Sequence, residues 1–359
     1  MGSSPAEFPE QPDLPVPPKA DPTLPDGPSS PEQMGPPDHL RHGYGGQQGG
    51  QYVNVAAIPE PQRDPLVRYV ILFLATVYST TYVGASHYLS FYQGFGDGLN
   101  PFTWGELMLR GLWYSVPILT ILGCHEMGHY LACRYYGVAA SRPYFIPMPL
   151  VLTGTLGAFI RIRRPIPGKR ELFDIGIAGP IAGFVIAVPL LFMGMYLSRV
   201  VELPRNLEGE LFWLGEPLLF KAAAWLTFGH VADGYTITMH PVAFAAWFGL
   251  LATALNLFPI GQLDGGHISY AVLGRKSTAV TLVMVVCLIG LAFWSLSWAV
   301  WAGLTVTMLV VFGPHHPRTA DENVPLDPAR KALAIFAVIM FVLCFTPAPI
   351  EPMDIVTRP

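Results

Sequence analysis

The segment His125-Glu126-Met127-Gly128-His129 sets two imidazoles four residues apart, with a carboxylate beside the first. On a helix, positions i and i+4 share one face, so both rings can grip a single metal ion. Glu126 is then placed to take a proton from a water that the metal activates. The plainer reading is a polar patch that glues helices together. The setting speaks for the metal. These residues sit inside a long apolar run, where ionisable groups are costly and face a cavity, a partner or a metal.

A hydrolytic zinc ion takes three protein ligands and keeps its fourth position for water. The run Asn256-Leu257-Phe258-Pro259-Ile260-Gly261-Gln262-Leu263-Asp264-Gly265-Gly266 supplies a candidate in Asp264. From Pro241 to Leu273 this is the sole acid, and the stretch has no Lys or Arg to neutralise it. A cation held by two histidines would do so. Pro259 and the glycines cannot continue a helix. The backbone groups they free are tolerable only around a protein-lined, wet cavity. Two costly features in separate spans explain each other if they meet at one metal.

The elements that must bring them together are membrane spans. The chain of 359 residues is 52% hydrophobic and only 13% charged, against roughly a quarter charged in soluble domains. That balance excludes an ordinary soluble enzyme. A net charge of −4 excludes a basic nucleic-acid binder. Apolar runs near 68–88, 111–133, 176–197, 241–260, 279–313 and 331–347 mark the spans. The fifth run is too long for one crossing and turns near Ser295–Ser297. The expectation is an all-α polytopic membrane protein of about six to seven transmembrane helices, the fourth interrupted.

Basic residues set the orientation. The connection 134–175 carries Arg134, Arg142, Arg161, Arg163, Arg164, Lys169 and Arg170 against Glu171 and Asp174, which places it in the cytoplasm. The connection 198–240 is richer in acids and falls outside. Its Phe212-Trp213-Leu214 and Leu218-Leu219-Phe220 suit a segment resting on the membrane surface. Residues 1–67 hold 15 of the 36 prolines and show no apolar periodicity. They read as a disordered, Pro/Gly-rich cytoplasmic tail, and 351–359 as a short C-terminal tail. The tail has neither a secretory signal nor the composition of a transit peptide. That favours a bacterial cytoplasmic membrane. Cys124, Cys133, Cys287 and Cys344 lie in or beside apolar runs, and no disulfides are expected.

The pair of motifs, His125–His129 and then Asn256-x-x-Pro259 with Leu263-Asp264-Gly265, resembles the site-2 protease family of M50-type peptidases. These are intramembrane zinc metalloproteases that cut transmembrane segments of other proteins. The resemblance runs from about residue 68 to 317, within an intramembrane protease domain taken as 68–350. It implies His125, His129 and Asp264 as Zn2+ ligands, Glu126 as general base, and Asn256 as the amide that steadies the substrate or the developing oxyanion. A structural hydrogen bond across the broken helix is the other role open to Asn256. Many members have a second proline where Gly261 stands here, as it does in the branch similar to chloroplast and cyanobacterial enzymes. That leaves the shape of the loop above the metal open. Neither a PDZ-like nor a CBS-like insert is visible.

After the first motif, Gly154-Thr155-Leu156-Gly157-Ala158-Phe159 leads into strand-like alternation stopped by Pro165 and Pro167-Gly168. It resembles the short membrane-associated β-hairpin of this family. Its free edge would bind substrate as an extended chain; a basic hairpin resting on lipid headgroups is the alternative. Gly179-Pro180 and Gly183 resemble a further family feature, and small residues there permit close helix packing. Cys133 is read as packing, His267 as a metal-ligand partner or a helix-end residue, and His315–His316 as an exposed turn. The resemblance implies a transmembrane protein substrate, such as a membrane-anchored transcription regulator or anti-sigma factor already trimmed by another protease. Lipid is the other partner, and no nucleic acid is expected. A membrane metal carrier and a non-proteolytic scaffold for membrane proteins are the competing functions.

Overall fold

A computed structural model describes residues 64–95, 100–149, 152–203, 212–313, 319, 321 and 324–352. Most of the segment expected as a tail, and His315–His316, lie outside the described residues. Nine helices among the described residues form the body: α1 Leu66–Gln93, α2 Trp104–Tyr135, α3 Lys169–Leu197, α4 Leu218–Phe228, α5 Pro241–Leu257, α6 Asp264–Leu273, α7 Ser277–Trp294, α8 Ser297–Phe312 and α9 Pro328–Cys344. The protein is mostly helical. Four helical stretches are long and apolar enough to cross a membrane: α1, α2, α3 and the unit Asp264–Trp294. That unit joins α6 to α7 through a 3₁₀ turn at Gly274–Lys276. Shorter apolar helices fall at Leu218–Phe228, Pro241–Leu257 and Ser297–Val311.

Each helix that carries the site starts and stops for a local reason. Thr103 and Glu106 form a capping box at the head of α2: the Thr103 hydroxyl accepts from the Glu106 amide, and the Thr103 amide donates to Glu106 Oε2 at 2.9 Å. Pro241 opens α5 where its missing N–H costs nothing. α5 ends at Leu257 because Pro259 follows, and Asp264 begins α6 six residues after Phe258. The intervening loop pairs part of its backbone. Ile260 donates to the Phe258 carbonyl at 2.7 Å, and the Thr281 hydroxyl of α7 donates to the Pro259 carbonyl at 3.1 Å.

Three two-stranded antiparallel sheets accompany the helices, two more than the single hairpin that the sequence leads one to expect. β1 Tyr144–Pro147 pairs with β2 Thr155–Phe159, with an irregularity between Phe145 and Pro147. β3 Arg199–Glu202 pairs with β5 Tyr235–Thr238. β4 Phe212–Leu214 pairs with β6 Ile350–Pro352. Through the backbone pairing of β6 with β4, residues 350–352 lie against the protein. α1 already includes Leu66 and Val67, while α7 and α8 part at Ser295–Leu296, where the long fifth run was expected to turn.

α5 is the central helix. Val242, Ala243, Ala245, Ala246, Trp247, Leu250 and Ala254 are all fully buried, which accounts for its lack of a polar face. α2 and α3 pack on it and on each other, joined through Tyr114, Ile118, Ile121, Leu191 and Met195. At the arginine-rich end, Arg330 of α9 grips Asp174 of α3 with two donors, the Nε–Oδ1 contact being 2.9 Å. The Tyr136 hydroxyl donates to the same carboxylate. One ion pair thus ties the ends of α2, α3 and α9 together.

Candidate metal centre

His125 and His129 lie one turn apart on the buried side of α2, only 6% and 7% exposed. Asp264, the first residue of α6, comes to meet them. Its Oδ2 stands 3.2 Å from His125 Nε2 and 3.3 Å from His129 Nε2, and the two Nε2 atoms are 3.1 Å apart. Bonds of about 2.0–2.1 Å at tetrahedral angles would set ligand atoms about 3.3 Å apart. The triangle matches that spacing on all three sides.

The donor set also has the chemistry a cation needs. His129 Nδ1 lies 2.7 Å from the Ile175 carbonyl. A carbonyl only accepts, so Nδ1 carries the proton, and the neutral ring offers a lone pair at Nε2. Asp264 likewise offers lone pairs. Two acceptors pointed at one centre need something positive between them, and a divalent ion supplies it. Among the described residues, these three form the one cluster of three or more such groups able to hold a metal.

Around the triangle stand two further side chains. Glu126 is buried, with Oε1 4.0 Å from His125 Nε2. It is a step outside the ligand triangle, where a base can reach a water but does not displace it. The Asn256 side-chain nitrogen lies 3.2 Å from His125 Nε2. This last turn of α5 therefore brings an amide to the edge of the site. The strand pair arrives from the other side, with the Ile160 backbone amide against the Glu126 carboxylate.

Glycines let these helices close. A Cβ on Gly179 would clash with the His129 ring, 2.1 Å from Nε2, 2.4 Å from Cδ2 and 2.5 Å from Cε1. A Cβ on Gly183 would stand 3.2 Å from His125 Cβ. Opposite them, a Cβ on Gly128 would lie 2.5 Å from the Ala178 carbonyl oxygen. The backbones of α2 and α3 are thus in direct contact beside the histidines. Gly265 and Gly266 do the same for the loop, since side chains there would strike the carbonyls of Leu257, Phe258 and Gly261.

Comparison with known proteins decides what this centre belongs to. The model of peptidase family M50 matches residues 113–297, just over half of the chain. The protein is a member of peptidase family M50. It is 30% identical over 311 residues to the probable zinc metalloprotease EGY1, chloroplastic, of Arabidopsis thaliana, covering 81% of this chain and 55% of the relative. It is 29% identical over 259 residues to the probable zinc metalloprotease EGY2, chloroplastic, of the same plant, covering 70% and 45%. The rice EGY2 relative is 32% identical over 188 residues, covering 52% and 34%. The chain spans about half or less of the length of these relatives. The matched M50 segment contains both histidines, Glu126, Asn256 and Asp264.

The structure thus brings together all five residues singled out for chemistry, and it sets β2 next to them. Of the six residues read as a substrate edge, Thr155–Phe159 form β2, and Gly154 sits in the preceding turn at φ +71°. Residues set aside in the sequence stay outside the ligand triangle. Cys133 is buried against Val138 and Ile175, and His267 faces Gly176 of α3. Sequence reasoning missed the Ile175 carbonyl that fixes His129 and the Ile160 amide at Glu126. Both are backbone groups, and no residue type announces them.

Proposed function

We propose that the protein is an intramembrane zinc metalloprotease that hydrolyses a peptide bond within a transmembrane segment of another membrane protein. The carrying observation is a three-ligand triangle with a buried carboxylate 4.0 Å away, on helices long and apolar enough to lie in a bilayer. The zinc metalloprotease names of the relatives support the same metal. In this reading His125, His129 and Asp264 hold Zn2+. Zinc, when bound, supplies the Lewis acidity that activates water and polarises a carbonyl. Glu126 takes the proton of the attacking water and returns it to the leaving amine. Asn256 steadies the developing oxyanion through its amide. The free edge over Gly154–Phe159 holds the substrate as an extended chain, so that the scissile carbonyl is no longer hidden in a helix.

The finer topology belongs to the same proposal. The four long stretches with α5, α8 and α9 make seven crossings, with the tail and the arginine-rich 134–175 connection in the cytoplasm. A bacterial cytoplasmic membrane suits this layout. The substrate is a transmembrane protein, such as a membrane-anchored regulator or anti-sigma factor previously trimmed outside.

The test is cleavage of a panel of single-span membrane proteins by purified protein in detergent, beside Glu126→Gln, with zinc measured in both. We expect intraspan cuts by the native protein alone, with equal zinc. Losing the base should slow cleavage by about 10²–10⁴-fold. Undiminished, metal-dependent cleavage by Glu126→Gln would end the role assigned to that residue.

A further inference from the structure

The family match begins at residue 113 and leaves α1 outside it. Yet α1 is the helix against which β1 packs, and it holds the strand pair at both ends. At the open end, Asp64, just before α1, forms an ion pair with Arg163 beyond β2. Tyr69 donates to the same carboxylate at 3.4 Å. The Tyr69 ring stacks on Tyr144 of β1 at 4.4 Å, and Tyr144 stacks in turn on Phe159 of β2 at 5.3 Å. One helix terminus therefore reaches across both strands.

At the turn end, three successive carbonyls are each met by a side chain. The Ser79 hydroxyl of α1 donates to Gly154 at 2.7 Å, Tyr114 of α2 donates to Thr153 at 2.8 Å, and His87 Nε2 of α1 lies 2.8 Å from the Leu152 oxygen. Gly154 rests so closely on Ser79 and Thr80 that a Cβ there would lie 2.8 Å from α1 backbone atoms. These contacts leave the strand pair little freedom to slide.

The position so fixed matters at the metal centre. Ser141 donates to the Arg161 carbonyl at 2.9 Å, and Arg163 donates to the Ala139 carbonyl at 2.8 Å. Odd-numbered residues here turn toward the partner segment, so Ile160 between them turns its amide the other way. That is the side on which it meets Glu126. A displacement of the pair along α1 would carry the free edge past the base.

We propose that α1 sets the register of the substrate edge, and that Asp64, Tyr69 and Ser79 are positioning residues for cleavage. This rests on the protease reading for its enzymatic half only. Strand pairing has a period of two, so a pair released from α1 presents a bound chain to the metal two residues out of place.

The experiment uses the full-length, zinc-loaded protein in detergent and compares native protein, Asp64→Ala, Ser79→Ala and the exchanged pair Asp64→Arg with Arg163→Asp. Three quantities are read: hydrogen exchange over 152–160, zinc affinity, and the cleavage position in a single-span substrate by mass spectrometry. Asp64→Ala and Ser79→Ala should raise exchange over 152–160 and leave zinc affinity unchanged. They should lower kcat at the native cut by about 100-fold, since a misplacement of as little as about 1 Å costs that much, and move part of the cutting by two residues, one full strand repeat. The exchanged pair should restore native exchange and the native cut. Unchanged exchange in both single variants would overturn the proposal. So would losses of zinc and stability with an unmoved cut, because a purely structural role predicts those. If native protein cuts nothing, the protease reading fails, and the exchange measurement still decides whether α1 holds the strands.

Discussion

Gly179→Ala adds one methyl group, and the geometry says where it must go. The new carbon would overlap three atoms of the His129 ring, including the Nε2 that faces Asp264. Ordinary contact between heavy atoms is about 3.5–4.0 Å, so the ring or α3 must retreat by roughly 1.5 Å from the 2.1 Å approach to Nε2. Neither route spares the site. If the ring moves, Nε2 leaves a triangle whose metal bonds tolerate about 0.2 Å. If α3 moves, the Ile175 carbonyl moves with it, and its 2.7 Å contact with His129 Nδ1 stretches beyond hydrogen-bonding range. Loss of such an orienting partner weakens metal binding by about 10- to 100-fold, and a displacement of this size costs about 100-fold in turnover.

The assay is zinc affinity by competition with a chromophoric chelator, followed by cleavage at saturating zinc. Gly183→Ala is the graded comparison. Its methyl would stand 3.2 Å from His125 Cβ and 3.4 Å from Nδ1, a fit needing only a few tenths of an ångström, so zinc affinity should fall by less than about tenfold. Gly290→Ala, with nothing within 4 Å, should behave as native. A Gly179→Ala protein with native zinc affinity would refute the reasoning that α3 sets the histidine geometry.

Asp264→Asn keeps the shape but removes the charge, and it should weaken zinc binding and cleavage together. Equal zinc affinity in a dialysis titration would remove Asp264 from the ligand set. Arg330→Met leaves Asp174 without its two-donor partner while Tyr136 still donates. We expect a loss of about 1–3 kcal/mol in detergent unfolding. His240 caps α5, its Nδ1 accepting from the Val242 amide at 3.3 Å. Burial first, and then nearby Arg199, pushes its pKa down to about 4. The unfolded chain takes up that proton near the ordinary 6.5, so the contribution is whole above that pH and is lost as pH falls from there toward 4. The slope should reach at most about 1.4 kcal/mol per pH unit. His240→Asn, which retains an acceptor, should flatten it in a thermal melt series.

The cluster of His125, His129 and Asp264, which could hold a metal, was legible in the chain because its cost is local. Two histidines at helical spacing and a lone acid in an uncharged apolar run are each unfavourable in place, so their residue types betray them. The break between α5 and α6 was equally plain, since proline and paired glycines forbid a continuous helix whatever surrounds them.

Other features depend on which surfaces meet. β4 and β6 stand far apart in sequence and pair through backbone groups that every residue carries. The partner of His129 is the carbonyl of an isoleucine. Gly179 reads from the sequence as a close-packing glycine, but only α3 laid against α2 makes its missing Cβ the space for the His129 ring. The residue types of His125, Glu126, His129, Asn256 and Asp264 determine which chemistry is available. Only tertiary structure decides that three ligand atoms stand 3.1–3.3 Å apart, because which helix faces meet and which backbone carbonyls they bring along carry no signature in a single chain.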